Sequence, residues 1–365
     1  RAAIFETSGL GVTEGSMERW ERALQTCMTS LGELSERFSM EVEALCEVTK
    51  RFPMRVSLYY AGLIERSGDP IWLQCIPDPR ELLEGDFTED PLDEEGLSPV
   101  PGLIHRYPNR VVLIVSSTCA TFCRFCMRKR YVGCCSTGQD RHFLRAAMAY
   151  LEGAVEVRDV ILSGGDPLLL SDDELDEILS NLRKIRHVEI LRIGSRVPVT
   201  LPERITPRLC RMLKKHHPLY VNTHFNHPRE ITAQSSRACD RLGDAGIPLG
   251  NQTVLLKGVN DDPLVMRELM QRLLTIRVRP YYIHHLDRVR GTAHFRTSLQ
   301  EGLKVMEALR GYASGMAVPY YVVDLPGGKG KVPLLPDYVK RVGQTYCFRN
   351  YRGEEIAYQD KASVP

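Results

Sequence analysis

The chain has 365 residues and a mass of 41.4 kDa, 43% hydrophobic and 26% charged, an ordinary globular balance for one large domain or two smaller ones. That composition excludes a disordered, collagen-like or coiled-coil chain, and no apolar run approaches the roughly 18–20 residues that a membrane span needs. Formal charge is +2, from 48 basic and 46 acidic residues with no basic block, which argues against nucleic-acid binding as the main task. The 11 cysteines are odd in number and no export signal is visible, so a reducing cytoplasm is expected, with most of them as small core hydrophobes.

Residues 1–15, with Gly9, Gly11 and Gly15, read as a loose lead-in. From Met17 to about Ile64, Trp20, Leu24, Cys27, Leu31 and Leu34 recur at helical steps, and Pro53 breaks the run. An acidic stretch follows (Glu81, Glu84, Asp86, Glu89, Asp90, Asp93, Glu94, Glu95) and reads as a solvated connector. Beyond Pro101, short apolar runs at Val111–Val115, Asp159–Ser163, Val188–Ile193, Leu219–Asn222, Pro248–Leu255 and Val278–His284 predict strands. Between them, Asp140–Leu151, Asp172–Lys184, Pro207–Lys215, Glu230–Ala245 and Pro263–Ile276 predict helices. Several of the runs are apolar throughout, as in parallel strands covered on both faces. Six strand–helix units predict an α/β fold, a complete or partial β/α barrel, with a doubly wound open sheet as the alternative. Either fold places chemistry at the C-terminal ends of the strands.

Just past the first of these strands lie Cys119, Cys123 and Cys126, in a C-x3-C-x2-C spacing. Three thiolates on one tight loop can hold three irons of a cubane cluster and leave the fourth open to a ligand. A structural zinc ion would need a fourth ligand; His105, Cys134 and Cys135 are poorly spaced for it. In this position the triplet resembles the radical S-adenosylmethionine (SAM) superfamily. The resemblance implies a partial (β/α)6 TIM-type barrel, a [4Fe–4S] cluster whose open iron chelates SAM, and a 5′-deoxyadenosyl radical. The second strand ends in Gly164-Gly165-Asp166, where glycines allow close backbone approach and the carboxylate can face an ammonium. The superfamily lines the methionine amino group with such a motif.

Near the end, Pro326-Gly-Gly-Lys-Gly-Lys331 lacks the spacing of a P-loop. Its chemistry leaves open a solvated turn or a lysine free to form a Schiff base. In order along the chain, His105-Arg-Tyr-Pro-Asn-Arg110, the cysteine loop with Arg128-Lys-Arg130, and Leu162-Ser-Gly-Gly-Asp166 are followed by Arg192-Ile-Gly-Ser-Arg196. Asn222-Thr-His-Phe-Asn-His-Pro228, Pro248-Leu-Gly-Asn-Gln252, Gly258-Val-Asn-Asp261, Arg279-Pro-Tyr-Tyr282, His294-Phe-Arg-Thr297, Leu309-Arg-Gly311 and the lysine loop complete the set. From roughly Ser98 to Tyr351 it closely resembles lysine 2,3-aminomutase and its relatives.

The resemblance divides the chain into an N-terminal helical region and acidic connector (1–97), a barrel core (98–297) and a C-terminal extension with the lysine loop (298–365). It implies that Lys331 holds pyridoxal 5′-phosphate (PLP), with Lys329 competing for the role, and that Arg106, Tyr107 and Arg110 surround that cofactor. Gly164, Gly165, Asp166 and, more distantly, Gln252 would contact SAM; Ser195 and Arg196 are weaker candidates. Arg128 would grip the substrate's α-carboxylate, and Asp287 and Asp324 the far ammonium of a basic amino acid, with pairing to Arg288 or Arg290 as their plainer use. The implied reaction moves the α-amino group of L-lysine to C3. Alternatives are the same chemistry on arginine, ornithine or glutamate, the branch that serves elongation factor P, and a non-catalytic iron–sulfur or zinc redox sensor. A structural zinc is not expected, since Asp262 stands at the ligand position and Cys347 is alone near the C-terminus. The implied partners are a small-molecule amino acid, a flavodoxin or ferredoxin as electron donor and further copies of the chain, with no nucleic acid and no membrane.

Overall fold

A computed structural model describes residues 17–83, 85–133, 141–342 and 345–359. The lead-in, Glu84, Cys134, Cys135 and Asp140 lie outside the described residues. A nine-stranded sheet runs in chain order: β1 (Leu103–Tyr107), β2 (Arg110–Ser116), β3 (Asp159–Gly164), β4 (Ile190–Gly194), β5 (Leu219–Thr223), β6 (Leu249–Leu255), β7 (Val278–His285), β8 (Tyr320–Asp324) and β9 (Lys331–Leu334). Strands β2 to β8 are parallel, and β1 and β9 pair antiparallel at the two edges. A separate three-stranded sheet follows: β10 (Val339–Val342), β11 (Thr345–Arg349) and β12 (Glu355–Gln359).

All six predicted strands are present, and the predicted helices appear at Arg141–Gly153, Asp172–Lys184, Pro207–Lys214, Ala233–Asp244 and Pro263–Thr275. Their starts obey local chemistry: Ser171 caps with Glu174 in a reciprocal box, and Thr232 does so with Ser235. Asp262 accepts from the Leu264 N–H at 2.7 Å, so this residue serves as a helix cap. A further helix, Leu299–Leu309, leads into β8 and continues the alternation past residue 297.

Two expectations change. The stretch from Met17 to Ile64 is not one broken helix but short pieces at Arg19–Gln25, Leu31–Phe38, Cys46–Arg51 and Leu58–Ala61. Ser39 turns left-handed at φ 49°, and Met28 bridges Val56, folding the pieces back on themselves. The strands, moreover, are not covered on both faces. Their residues alternate between buried and half-exposed, as in β6, because helices cover only the outer face. The inner face carries Asp159, Ser163, Arg192, Gln252, Tyr282 and His284 around an open interior.

The sheet curls until its edges meet, yet no backbone pairing joins β1 to β9. Side chains close the seam instead. Arg106 on β1 reaches Asp324 on β8 at 3.0 Å, and the Lys331 N–H on β9 donates to the Tyr107 hydroxyl at 2.9 Å. This is a partial barrel, with the described N-terminal pieces buried in the same core through Trp20, Leu34 and Tyr60.

Candidate active site

The C-terminal ends of the parallel strands gather the chemistry. Past β2, the loop with Cys119, Cys123 and Cys126 holds three free thiols. Burial pushes the Cys126 thiol up to about 11, and Cys123 adds to the rise. Cys119 is raised well above the usual range by burial, then by Asp166 and the other two thiols. Three soft ligands that repel one another when charged form a donor set suited to a polycationic cluster, whose charge would offset both penalties. Arg196 already supplies part of that charge, its Nη1 lying 2.8 Å from Cys123 Sγ.

The loop is anchored by a buried ion-pair group that no sequence pattern announced. Arg124 donates to both Glu81 oxygens at 2.8 and 2.7 Å and to the Pro53 carbonyl at 2.9 Å. Lys129 Nζ reaches Glu81 at 2.6 Å. Glu81 is 1% exposed and Glu94 4%, so these two carboxylates are not solvated, although Asp86, Glu89, Asp93 and Glu95 of the same stretch are exposed as expected. Cations of the cysteine loop draw Glu81 and Glu94 inward.

Gly164 and Gly165 close the next turn. A Cβ on Gly164 would lie 2.2 Å from the Ser116 carbonyl, and one on Gly165 2.4 Å from that of Thr118. The pair is thus required by packing against the start of the cysteine loop. Asp166 uses both oxygens within the protein: Oδ1 accepts from the Ser195 hydroxyl at 2.7 Å, and Oδ2 from the Arg196 N–H at 2.7 Å. Burial raises its carboxyl to about 6 despite these bonds. Here it orders the Ser195-Arg196 turn, and Arg196 in turn spans Gln74, Glu230 and Cys123.

His224 went unnoticed in the sequence. It follows β5, 5.5 Å from the Phe125 ring of the cysteine loop, and its Nε2 is buried without a hydrogen-bond partner. Burial and then Arg196 hold it well below the usual imidazole range, hence neutral. Its place in Asn222-Thr-His at a strand end was the available signal. Gln252 sits half-buried on the inner face of β6, whereas Asn251 turns outward to the Phe225 backbone.

At the seam, Lys331 points inward and Lys329 is exposed. Lys331 Nζ contacts the Asp324 oxygens at 2.6 and 2.7 Å. Burial would push the Asp324 carboxyl up, but His284, 3.4 Å away, and Lys331 outweigh it and hold it well below the usual range. Arg110 lies over the Tyr107 ring at 3.9 Å. Arg106, Tyr107, Arg110 and Lys331 therefore share one corner, an amine beside two guanidinium groups, and this donor set fits a phosphorylated aldehyde.

Asp287 has a different environment. Neither Arg288 nor Arg290 pairs with it: they reach Asp86 and Glu89 instead. Burial, then the nearby Asp324 charge, raises its carboxyl to about 7. Arg128 is held by Glu94 at 3.0 and 2.7 Å and by the Ser163 hydroxyl at 2.9 Å.

The model of the radical SAM superfamily matches residues 113–270, and that of lysine-2,3-aminomutase matches residues 306–363. The L-lysine 2,3-aminomutase of Methanococcus maripaludis is 50% identical over 328 residues, 88% of this chain and 75% of that protein. This chain belongs to the lysine 2,3-aminomutase family. The aminomutase is also 46% identical to the L-lysine 2,3-aminomutase of Clostridium subterminale, over 96% of this chain and 86% of that one. It is 44% identical to the glutamate 2,3-aminomutase of Clostridioides difficile, over 97% and 86%. The aminomutase is thus a radical SAM isomerase, and a [4Fe–4S] cluster and SAM come with that superfamily. Among the described residues, no helix is long and apolar enough to cross a membrane.

Proposed function

We propose that the aminomutase moves the α-amino group of L-lysine to C3, giving β-lysine, with PLP held on Lys331. The observation that carries this reading is the pair of carboxylates at the seam. Asp324 already holds an alkylammonium, that of Lys331, and Asp287 is half-buried near it and is not paired with Arg288 or Arg290. Asp324 also keeps Arg106 at 3.0 Å, whereas Asp287 has no ion-pair partner of its own among the described residues. A carboxylate in that setting favours an incoming ε-ammonium. A glutamate side chain would instead meet like charge.

The residues divide the work. Cys119, Cys123 and Cys126 hold the cluster, while Gly164, Gly165, Gln252 and His224 border the space for SAM, with Asp166 setting the turn behind it. Arg106, Tyr107 and Arg110 flank the cofactor. Arg128 receives the α-carboxylate, so the substrate lies with its two ends fixed and C3 toward the cysteine loop. When bound, the cluster and SAM supply a radical that removes and returns hydrogen at C3, and PLP supplies a π-bond through which nitrogen moves. The same reading takes a flavodoxin or ferredoxin as electron donor, a homo-oligomer and a cytoplasmic setting.

The test is anaerobic incubation of the reconstituted protein with PLP, SAM, dithionite and a panel of amino acids, separating α- from β-isomers. Conversion of L-lysine is expected. Conversion of glutamate, arginine or ornithine in preference would overturn the substrate assignment.

A pH effect follows from Asp287. Its folded carboxyl titrates near 7, above the ordinary carboxylate value, so the folded protein keeps a proton that the unfolded chain releases. Asp287 therefore opposes stability increasingly as pH climbs from about 4 to 7. An arriving ammonium favours the ionised form, so lysine binding is expected to release protons below pH 7 and to tighten as pH rises toward it. Calorimetry in buffers of different ionisation heat measures that release. Asp287→Asn should abolish it.

A further inference from the structure

The stretch 86–98 crosses the seam of the barrel and touches the cysteine loop, the Asp287 loop and the lysine loop. Thr88 bridges Val289, next to the Asp287 loop, and the Gly327 N–H donates to the Pro91 carbonyl at 2.9 Å. Gly328 of the lysine loop packs so tightly on this strap that a Cβ there would lie 2.3 Å from Leu97 Cδ1. The His105 N–H, on β1, donates to the Leu97 carbonyl at 2.9 Å. From the centre of the strap Glu94 reaches down to Arg128. Its carboxylate takes Nε at 3.0 Å and Nη2 at 2.7 Å, and both side chains are close to fully buried.

A guanidinium offers two parallel forks, one from Nε and Nη2 and one from Nη1 and Nη2. Glu94 occupies the first. Ser163 takes one hydrogen from Nη1 at 2.9 Å. Five N–H donors less these three bonds leave two, one on each terminal nitrogen, for a second carboxylate.

We infer that Glu94 is a positioning residue: it clamps Arg128 by one fork so that the other is presented to the α-carboxylate of the amino acid. The inference rests on the reading of Arg128 given under the proposed function. Without the clamp, Arg128 would be free to swing over several rotamers, and the carboxylate would have to order it on binding. The strap thereby links carboxylate recognition to the lysine loop through Pro91 and Leu97.

The experiment compares L-lysine with 1,5-diaminopentane, which has the same amine spacing and no carboxylate. Each is titrated into the PLP-loaded protein without reductant, following the cofactor absorbance, so no turnover is involved. Glu94→Gln is expected to weaken lysine about tenfold, from loss of one charge-assisted contact, and to leave diaminopentane and bound iron unchanged. Glu94→Asp, which keeps the charge, should recover part of the loss. Equal weakening of both ligands, or loss of iron, would reduce Glu94 to a general structural role and overturn the inference. If Arg128→Gln weakens lysine selectively and Glu94→Gln does not, the clamp is wrong while the Arg128 reading stands. If Arg128→Gln is not selective, or lysine leaves the wild-type absorbance unchanged, the underlying reading fails and the inference with it.

Discussion

Replacing Lys331 by alanine is expected to abolish the PLP absorbance band that borohydride shifts and to lower turnover by roughly three orders of magnitude or more. Lys329→Ala, two residues away, should stay within about twofold of wild type, as surface substitutions usually do. The contrast comes from β9. Lys331 starts that strand, where the Tyr107 hydroxyl holds its backbone N–H at 2.9 Å and its amine is directed to Asp324. Lys329 sits on the glycine-rich turn in solvent. The fold should survive the change, because Arg106 still neutralises Asp324 at 3.0 Å. Loss of the band from Lys329→Ala and not from Lys331→Ala would reverse the assignment.

Glu81→Gln is expected to destabilise the protein by about 3–5 kcal/mol, measured by chemical denaturation, and to lower iron retention. Glu81 and Arg124 are 0% and 1% exposed at the side chain, so solvent cannot replace the lost charge. Gln keeps one acceptor but leaves Arg124 and Lys129 facing one buried neutral group. Arg124 lies between Cys123 and Cys126, and strain there reaches the cluster loop directly. The pH dependence gives an independent check. Burial lowers the Lys129 ammonium to about 8, with Glu81 opposing the fall. A lysine so depressed favours the folded state as pH rises, since the unfolded chain then holds the extra proton. Removing Glu81 should move that window lower, so the deficit of the variant should shrink between pH 7 and 9. Glu81→Gln combined with Lys129→Met should recover part of the stability at pH 7. A deficit that does not change with pH would show that Lys129 does not share the Glu81 charge.

Much of this protein was legible in its residues alone. Six strands and five helices followed from the alternation of apolar runs with helical segments, because those signals are local. The C-x3-C-x2-C loop, the Gly164-Gly165 turn and the order of motifs from Arg106 to Lys331 identified the family, because ligand spacing on one loop is a property of the chain. Less was legible where partners lie far apart in sequence. Glu81 and Glu94 read as solvated charges, since nothing nearby in the chain discloses that Arg124 and Arg128 will enclose them. Lys329 and Lys331 could be told apart only by register, until the antiparallel pairing of β9 turned one inward. The plain use of Asp287, a pair with Arg288 or Arg290, was excluded once Asp86 and Glu89 were seen to hold those arginines. The sequence by itself determined the elements, the cluster loop and the family. Tertiary structure alone decided the burial of charges, the seam between β1 and β9, and the clamp on Arg128, since burial and ion pairing depend on distances that only a folded chain defines.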